Sequence, residues 1–182
     1  MKRKPKNPIT SVRTGMGDSG NTFFRGGMMS KDHELIEFVG AIDEACAFLG
    51  KLNSPGIDKY QTMLFELGAM THSENALNDF GENLKTYVTT IASHIENAIK
   101  HEGLEELRGF IIPTPVNADA MIARAVIRRA ERSAVRAGLT WAIPLLNAFS
   151  DYLFVISWKL DATNQWTGFI PETKEEITDV PV

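Results

Sequence analysis

Apolar residues recur every three or four positions through most of the chain, and this spacing predicts amphipathic helices. The first helix carries Leu35, Ile42 and Leu49 on one stripe, with Ser30 as its expected N-cap and Asn53 near its end. Four more helices are predicted over about Ile57–Leu77, Asn83–His101, Ala118–Ala137, and from Trp141 or Pro144 to Leu160. Because short polar turns join them and no strand–helix alternation appears, we expect an all-α, up-and-down five-helix bundle.

The chain divides into three parts on this pattern. Residues 1–30 are rich in glycine and lack apolar periodicity, which predicts a glycine-rich N-terminal loop with unusual backbone angles or a close approach to another group. Residues 31–161 form the predicted bundle, of the ferritin-like kind, and residues 162–182 form a polar C-terminal tail. Within the bundle we expect a turn at Asn78–Glu82 and a helix C-cap at Gly138.

Composition limits the classes of function. The 182 residues are 43% hydrophobic and 23% charged, the balance of one globular domain. The basic N-terminus is followed by no apolar segment, and no apolar run reaches the roughly 18 residues that span a bilayer, so we expect neither a secretory signal nor a membrane helix. Cys46 is the one cysteine, which favours the cytoplasm. The net charge of −4 argues against a nucleic-acid partner, and the histidine spacing predicts no metal site.

Arginines are concentrated in the fourth predicted helix, with five of them in thirteen residues. Helical geometry places Arg124, Arg128, Glu131 and Arg132 on one face, opposite an apolar face. Such a face is either a solvated charged surface or an anion site, since guanidinium groups match phosphate oxygens in pairs.

Acidic and amide groups on other helices suggest partners for these arginines. Asn147 and Asp151 lie four residues apart on a fifth helix that is apolar nearly all round, so Asp151 is expected to be buried and paired. The expected pair of Asp151 with an arginine either fixes only the helix register or forms a polar wall that holds the arginines toward a ligand. Asp43 flanks the first apolar stripe and is expected to pair with a base, whereas Glu44 points elsewhere.

Gly15, Gly17 and Gly20 fit the spacing G-x-G-x-x-G. Only fourteen residues precede Gly15 and helices follow, so the βαβ unit of a dinucleotide site has no room. A glycine-rich loop with hydroxyl side chains still suits phosphate binding through backbone N–H groups, and the alternative is a flexible arm.

Several motifs, in order over roughly residues 11–160, together resemble the ATP:cob(I)alamin adenosyltransferases of the propanediol-utilisation type. The motifs are Thr14-Gly15-Met16-Gly17-Asp18-Ser19-Gly20-Asn21-Thr22, Ser30-Lys31-Asp32, Gly40-Ala41-Ile42-Asp43-Glu44, Phe110-Ile111-Ile112-Pro113, Ala123-Arg124-Ala125-Val126-Ile127-Arg128-Arg129-Ala130-Glu131-Arg132 and Leu146-Asn147-Ala148-Phe149-Ser150-Asp151-Tyr152-Leu153-Phe154. The arginine helix is the most specific of them.

The resemblance implies a homotrimer that binds ATP between subunits, transfers its 5′-deoxyadenosyl group to cob(I)alamin and uses Mg²⁺ with the triphosphate. It implies a catalytic role for Arg128 and for Asp43 paired with Arg124 across the subunit boundary. The implied ATP-binding residues are Thr14, Gly15, Gly17, Asp18, Gly20, Thr22, Lys31, Arg128, Glu131, Arg132 and Asn147, and Phe110 and Asp151 would lie on the cobalamin side. A corrinoid reductase or an adenosylcobalamin-dependent enzyme would be a partner.

The sequence departs from the family pattern at Met16, Ala45-Cys46-Ala47, Thr114-Pro115 and Ala148. Met16 replaces a threonine of the phosphate loop, and Thr114-Pro115 replaces two glycines beside the cobalamin. These departures keep one alternative open, a non-catalytic ATP-binding relative that acts as a sensor or corrinoid-handling partner. A second alternative, a structural helical bundle with no small ligand, requires the arginines to be paired with acids of the protein alone.

Overall fold

A computed structural model describes residues 15, 17–52, 56–72, 76–102, 110–161 and 166–167. Five helices occur in this part of the chain: α1 Glu34–Leu49, α2 Ile57–Met70, α3 Ala76–Glu102, α4 Ala118–Arg136 and α5 Ile143–Leu160. Four short strands accompany them: β1 Asn21–Phe24, β2 Gly27–Ser30, β3 Phe110–Ile111 and β4 Trp166–Thr167. The predicted five-helix bundle is confirmed. None of the described helices has the length and hydropathy needed to cross a membrane.

Helix α4 lies at the centre and packs mainly against α1 and α5. The apolar stripe predicted for it is buried, and its members are Ala123, Val126, Ile127, Ala130 and Ala134. Ala41 and Ala45 of α1 are also buried, and small side chains let two helices approach closely. Phe38 of α1 and Phe149 of α5 are fully buried and supply the larger volumes of the core.

Helix α1 begins later than predicted. Ser30 is not its N-cap, because Ser30 pairs with Asn21 in a hairpin and has extended backbone. The cap is His33, whose Nδ1 accepts a hydrogen bond from the backbone N–H of Leu35 at 3.1 Å. The predicted cap at Gly138 is confirmed, since Gly138 has a φ of +70° and Leu139 N–H donates to the carbonyl of Ala134 at 2.8 Å.

The predicted turn at Asn78–Glu82 is wrong. Helix α2 ends at Met70, and α3 begins at Ala76 and continues through this segment. Asn78 and Glu82 of this segment are exposed on α3, where Glu82 accepts a hydrogen bond from Lys85 Nζ at 2.8 Å. An exposed polar helix face and a turn have the same composition, so polarity alone could not separate them.

Part of the head that was predicted as a loop is a β-hairpin. Strands β1 and β2 are antiparallel, and Phe24 lies opposite Gly27. Arg25 and Gly26 form the two-residue turn with φ values of 48° and 76°, which is the pattern of a type I′ turn.

Part of the predicted polar tail is a strand that pairs with the rest of the protein. Strand β4 pairs with β3, with Phe110 opposite Thr167 and Ile111 opposite Trp166. Asp161, the last residue of the predicted bundle, is buried. Residues 162–165 and 168–182 lie outside the described part, so the boundary of the tail stays a prediction.

Candidate functional site

The glycine-rich loop is folded against the open end of the hairpin. Gly15 and Gly20 have φ values of 69° and 80°, and the N–H groups of Asp18 and Gly20 donate to the carbonyls of Gly15 and Gly17, each at 3.2 Å. The N–H of Lys31 then donates to the carbonyl of Gly20 at 2.9 Å. Two motifs that are separated in sequence, the loop and Ser30-Lys31-Asp32, are therefore adjacent in space. Thr14 and Met16 lie outside the described residues.

The side chain of Lys31 returns over this loop. A Cβ atom added at Gly17 would lie only 2.7 Å from Lys31 Nζ, so the ammonium group occupies the space that a side chain at position 17 would need. Asp18 and Lys31 are both exposed, and Thr22 is half-buried in β1. The hairpin thus holds one cation beside a run of small residues, the arrangement in which a loop can approach phosphate oxygens closely.

The predicted polar face of α4 lies at the surface of this chain. Arg128 and Arg132 are exposed, and Arg124 and Glu131 are half-buried. Within the described ranges, Arg128 and Arg132 make no ion pair. The face therefore carries two arginines that have no ion-pair partner in the described ranges, which suits an anionic ligand.

Arg124 is the most restrained of these cations. Its guanidinium lies over the ring of Phe154, 5.4 Å from the centroid, and its Nε is buried without a hydrogen-bond partner among the described groups. Burial lowers the pKa of Arg124, the neighbouring Arg128 lowers it further, and Asp151 acts in the opposite direction. The charges of Arg124, Arg128 and Asp151 therefore act on one another.

The expectation that Asp151 is buried is wrong. Asp151 and Asn147 are both exposed, on the strip of α5 next to the arginine face. The buried residues of α5, including Phe149 and Leu153, cover the rest of its circumference, and this strip reaches the bundle surface. The carboxylate consequently needs no buried partner and is accessible to a ligand.

Asp43 and Glu44 of α1 have exchanged their expected roles. Glu44, predicted to point elsewhere, forms an ion pair with Arg129 of α4, and both side chains are half-exposed. Asp43 is exposed and makes no ion pair within the described part of a single chain. The pairing of Asp43 with Arg124 of a neighbouring subunit stays a prediction.

Two ion pairs show the direction of α1 relative to α4. Lys51 near the end of α1 contacts Asp119 at the start of α4, 2.6 Å apart, and Glu44 contacts Arg129 farther along. The helices are therefore antiparallel. The start of α1, three residues after Lys31, therefore lies toward the C-terminal end of α4, which is the end nearer to Arg132.

The segment after Phe110 is held by side chains where the family pattern has glycines. Thr114 donates through its hydroxyl to Asp161 and through its N–H to Asn117 Oδ1, at 2.5 and 2.8 Å. Asn117 is completely buried at the start of α4. The backbone of Phe110 lies in β3, while its side chain is outside the described part, so its cobalamin-side role stays a prediction.

Sequence reasoning missed several contacts that arrange these groups. They are the Glu44–Arg129 pair, the contact of Thr114 with Asp161, and a contact of Arg25 with α2. The hairpin that carries Arg25 had a signal in the sequence, because Arg25-Gly26-Gly27 separates two short apolar pairs. Cys46 is buried and packs as a small apolar side chain. Burial, and secondarily the Asp43 carboxylate, raises the pKa of its thiol to about 11.

A sequence profile described as cobalamin adenosyltransferase matches residues 12–160, which is most of the chain. The chain belongs to this family. The match includes the glycine-rich loop and helices α4 and α5.

Curated relatives agree. The chain is 30% identical over 179 residues to corrinoid adenosyltransferase MMAB of Bos taurus, with 85% of this chain and 72% of the relative covered. It is 32% identical over 160 residues to the corrinoid adenosyltransferase of Bacillus subtilis (strain 168), covering 78% and 81%. It is 29% identical over 167 residues to a cobalamin adenosyltransferase of Cupriavidus metallidurans, covering 83% and 88%.

Solved structures share the fold. A variant of a PduO-type ATP:corrinoid adenosyltransferase from Lactobacillus reuteri, complexed with cobalamin and ATP, superposes with a TM-score of 0.68 at 21% identity, covering 81% of this chain and 89% of the other. A second variant of that protein, complexed with ATP, gives a TM-score of 0.66, covering 81% and 92%. The five-helix arrangement is thus the fold of PduO-type adenosyltransferases.

Proposed function

We propose that this chain transfers the 5′-deoxyadenosyl group of ATP to cob(I)alamin. The lone pair of cobalt(I) attacks the 5′-carbon, the carbon–oxygen bond breaks, and its electron pair leaves with the triphosphate. Because the reduced cobalt is itself the nucleophile, the reaction needs no general base from the protein. The chain's task is to bind both substrates, align them and stabilise the charge on the leaving triphosphate.

One observation supports this function most strongly: a member of this family exposes, on α4, arginines that have no ion-pair partner in the described ranges. Arg128 and Arg132 stabilise the triphosphate, together with Lys31 and the backbone N–H groups of the glycine-rich loop. Glu131 and Asn147 orient the nucleotide. Thr14, Gly15, Asp18, Gly20 and Thr22 complete the loop around the phosphates.

The finer assignments are part of the same proposal. Sites lie between the subunits of a homotrimer, where Asp43 of one subunit pairs with Arg124 of another, and Phe110 and Asp151 face the corrinoid. The exposed positions of Asp43, Arg128 and Asp151 support this arrangement, because exposed side chains can contribute to a site shared with a second copy of the chain. Mg²⁺ enters with ATP as part of the substrate. The protein works in the cytoplasm, beside a corrinoid reductase or an adenosylcobalamin-dependent enzyme.

Replacement of Arg128 by alanine tests the assignment. We expect adenosyl transfer to fall by about 10²–10³-fold, the usual effect of removing one charge-stabilising donor. The melting temperature should not change, because Arg128 is exposed and makes no ion pair in the described chain. Arg136→Ala is the matched control, since Arg136 is an exposed arginine of the same helix that contacts Ser133. Equal activity of the two variants would contradict the role of Arg128.

A further inference from the structure

Arg25 occupies an unfavourable backbone position at the tip of the hairpin. It is the one non-glycine residue with a positive φ in the described part of the chain, at 48°. Type I′ turns favour asparagine or glycine at this position, because a larger side chain meets its own backbone there. An arginine at this position therefore calls for an interaction that asparagine or glycine would not supply.

The side chain of Arg25 makes such an interaction. Its Nε donates to the backbone carbonyl of Thr71 at 2.6 Å, and Thr71 is the fully buried C-cap of α2. The last carbonyls of a helix have no partner within the helix, and a cation is favourable at that end. The neighbouring Phe24 is buried with its ring centroid 4.2 Å from that of His72. Two contacts thus fix the tip of the hairpin to the end of α2.

The other end of the hairpin carries the proposed phosphate site. Asn21 lies opposite Ser30, and the next residue on each side, Gly20 and Lys31, joins the loop to the hairpin. Each strand has four residues, so the tip and the loop are about 13 Å apart at the rise of an extended chain. A paired hairpin of this length transmits the position of its tip to Lys31.

We infer that Arg25 is a positioning residue for the nucleotide site. It anchors the hairpin to α2 and thereby places Lys31 and the Gly17 loop where they meet the phosphates. The inference rests on the proposed function for its ligand, ATP, but not for its structural part.

Arg25→Asn separates the anchor from the turn. Asparagine favours the type I′ turn but cannot reach the Thr71 carbonyl, so the hairpin turn is kept and the anchor is lost. We expect KM for MgATP to rise about tenfold, the scale of one lost charge-assisted hydrogen bond, with kcat within about twofold. Arg25→Lys keeps a cation and should recover part of the loss. Lys59→Asn, an exposed cation of α2, is the matched control.

Hydrogen exchange in the free protein tests the same inference without ATP. In Arg25→Asn the N–H of Lys31 should exchange at least about tenfold faster, because its bond to Gly20 opens more often, whereas the N–H of Ile42 in the core of α1 should be unaffected. Unchanged protection of Lys31 together with an unchanged KM would overturn the inference. If the wild-type protein turned over no ATP, the proposed function would fail and the exchange result alone would decide the role of Arg25.

Discussion

Replacing Gly17 by alanine should displace the ammonium group of Lys31 without disturbing the fold. The φ of Gly17 lies outside the left-handed region, so an alanine is accepted by the backbone. Its Cβ would lie 2.7 Å from Lys31 Nζ and 3.0 Å from Cε. Contacts between non-bonded carbon atoms are favourable at about 3.5–4.0 Å, so the end of the lysine must move by roughly 1 Å.

The size of the effect follows from the interaction that is lost. A hydrogen bond to a charged group contributes about 1.5–3 kcal/mol, which corresponds to a rise in KM for MgATP of roughly tenfold to a hundredfold. The free energy of unfolding should change by less than about 0.5 kcal/mol, because the clash is with the far end of a flexible side chain.

Steady-state kinetics with MgATP, and urea unfolding of the same samples, measure both quantities. Gly27→Ala is the control, since Gly27 lies on the same hairpin and a Cβ there meets nothing within 4 Å. The double variant Gly17→Ala/Lys31→Met should be no weaker than Lys31→Met alone, because both changes remove one interaction. Additive losses, or an equal loss in Gly27→Ala, would refute the reasoning.

Two further predictions concern the core. Phe149→Ala should lower the free energy of unfolding by about 3–5 kcal/mol in urea titration, because the ring is fully buried, and a loss below about 1 kcal/mol would contradict this packing. Cys46 should react with iodoacetamide at pH 8 far more slowly in folded than in urea-unfolded protein, since burial raises its pKa to about 11. The pKa of the folded protein's thiol lies above the value of 9.0 for a free cysteine, so the stability linked to this thiol is complete below pH 9 and is lost as pH rises through 11. Equal alkylation rates, or stability that does not fall between pH 9 and 11, would contradict the burial of this thiol.

The helices were predictable where one face is buried and the other is exposed. On α4 the apolar and arginine faces both fell where the sequence placed them, because Val126 and Ile127 alternate with Arg124 and Arg128 at helical spacing. The cap at Gly138 was predictable for a local reason, since only glycine takes its positive φ without a steric penalty.

Tertiary contacts decided the features that the sequence did not predict. Ser30 resembles an N-cap in isolation, but its pairing with Asn21 in the hairpin keeps it extended and moves the cap to His33. Polar residues between Asn78 and Glu82 could equally form a turn or an exposed helix face.

The candidate site divides in the same way. Helical spacing alone predicted that Arg124 and Arg128 share one face of α4. The proximity of Lys31 to Gly17 depends on hairpin register, and the exposure of Asp151 depends on how α5 is rotated against the bundle. Neither quantity is encoded in local periodicity.

An anaerobic assay of the wild-type protein with chemically reduced cobalamin and MgATP tests the central claim most directly. The account predicts catalytic formation of a light-sensitive cobalt–carbon product, followed by absorbance, with one triphosphate released for each adenosyl group transferred. ATP binding without that product would contradict the proposed enzyme and would favour a non-catalytic member of the family.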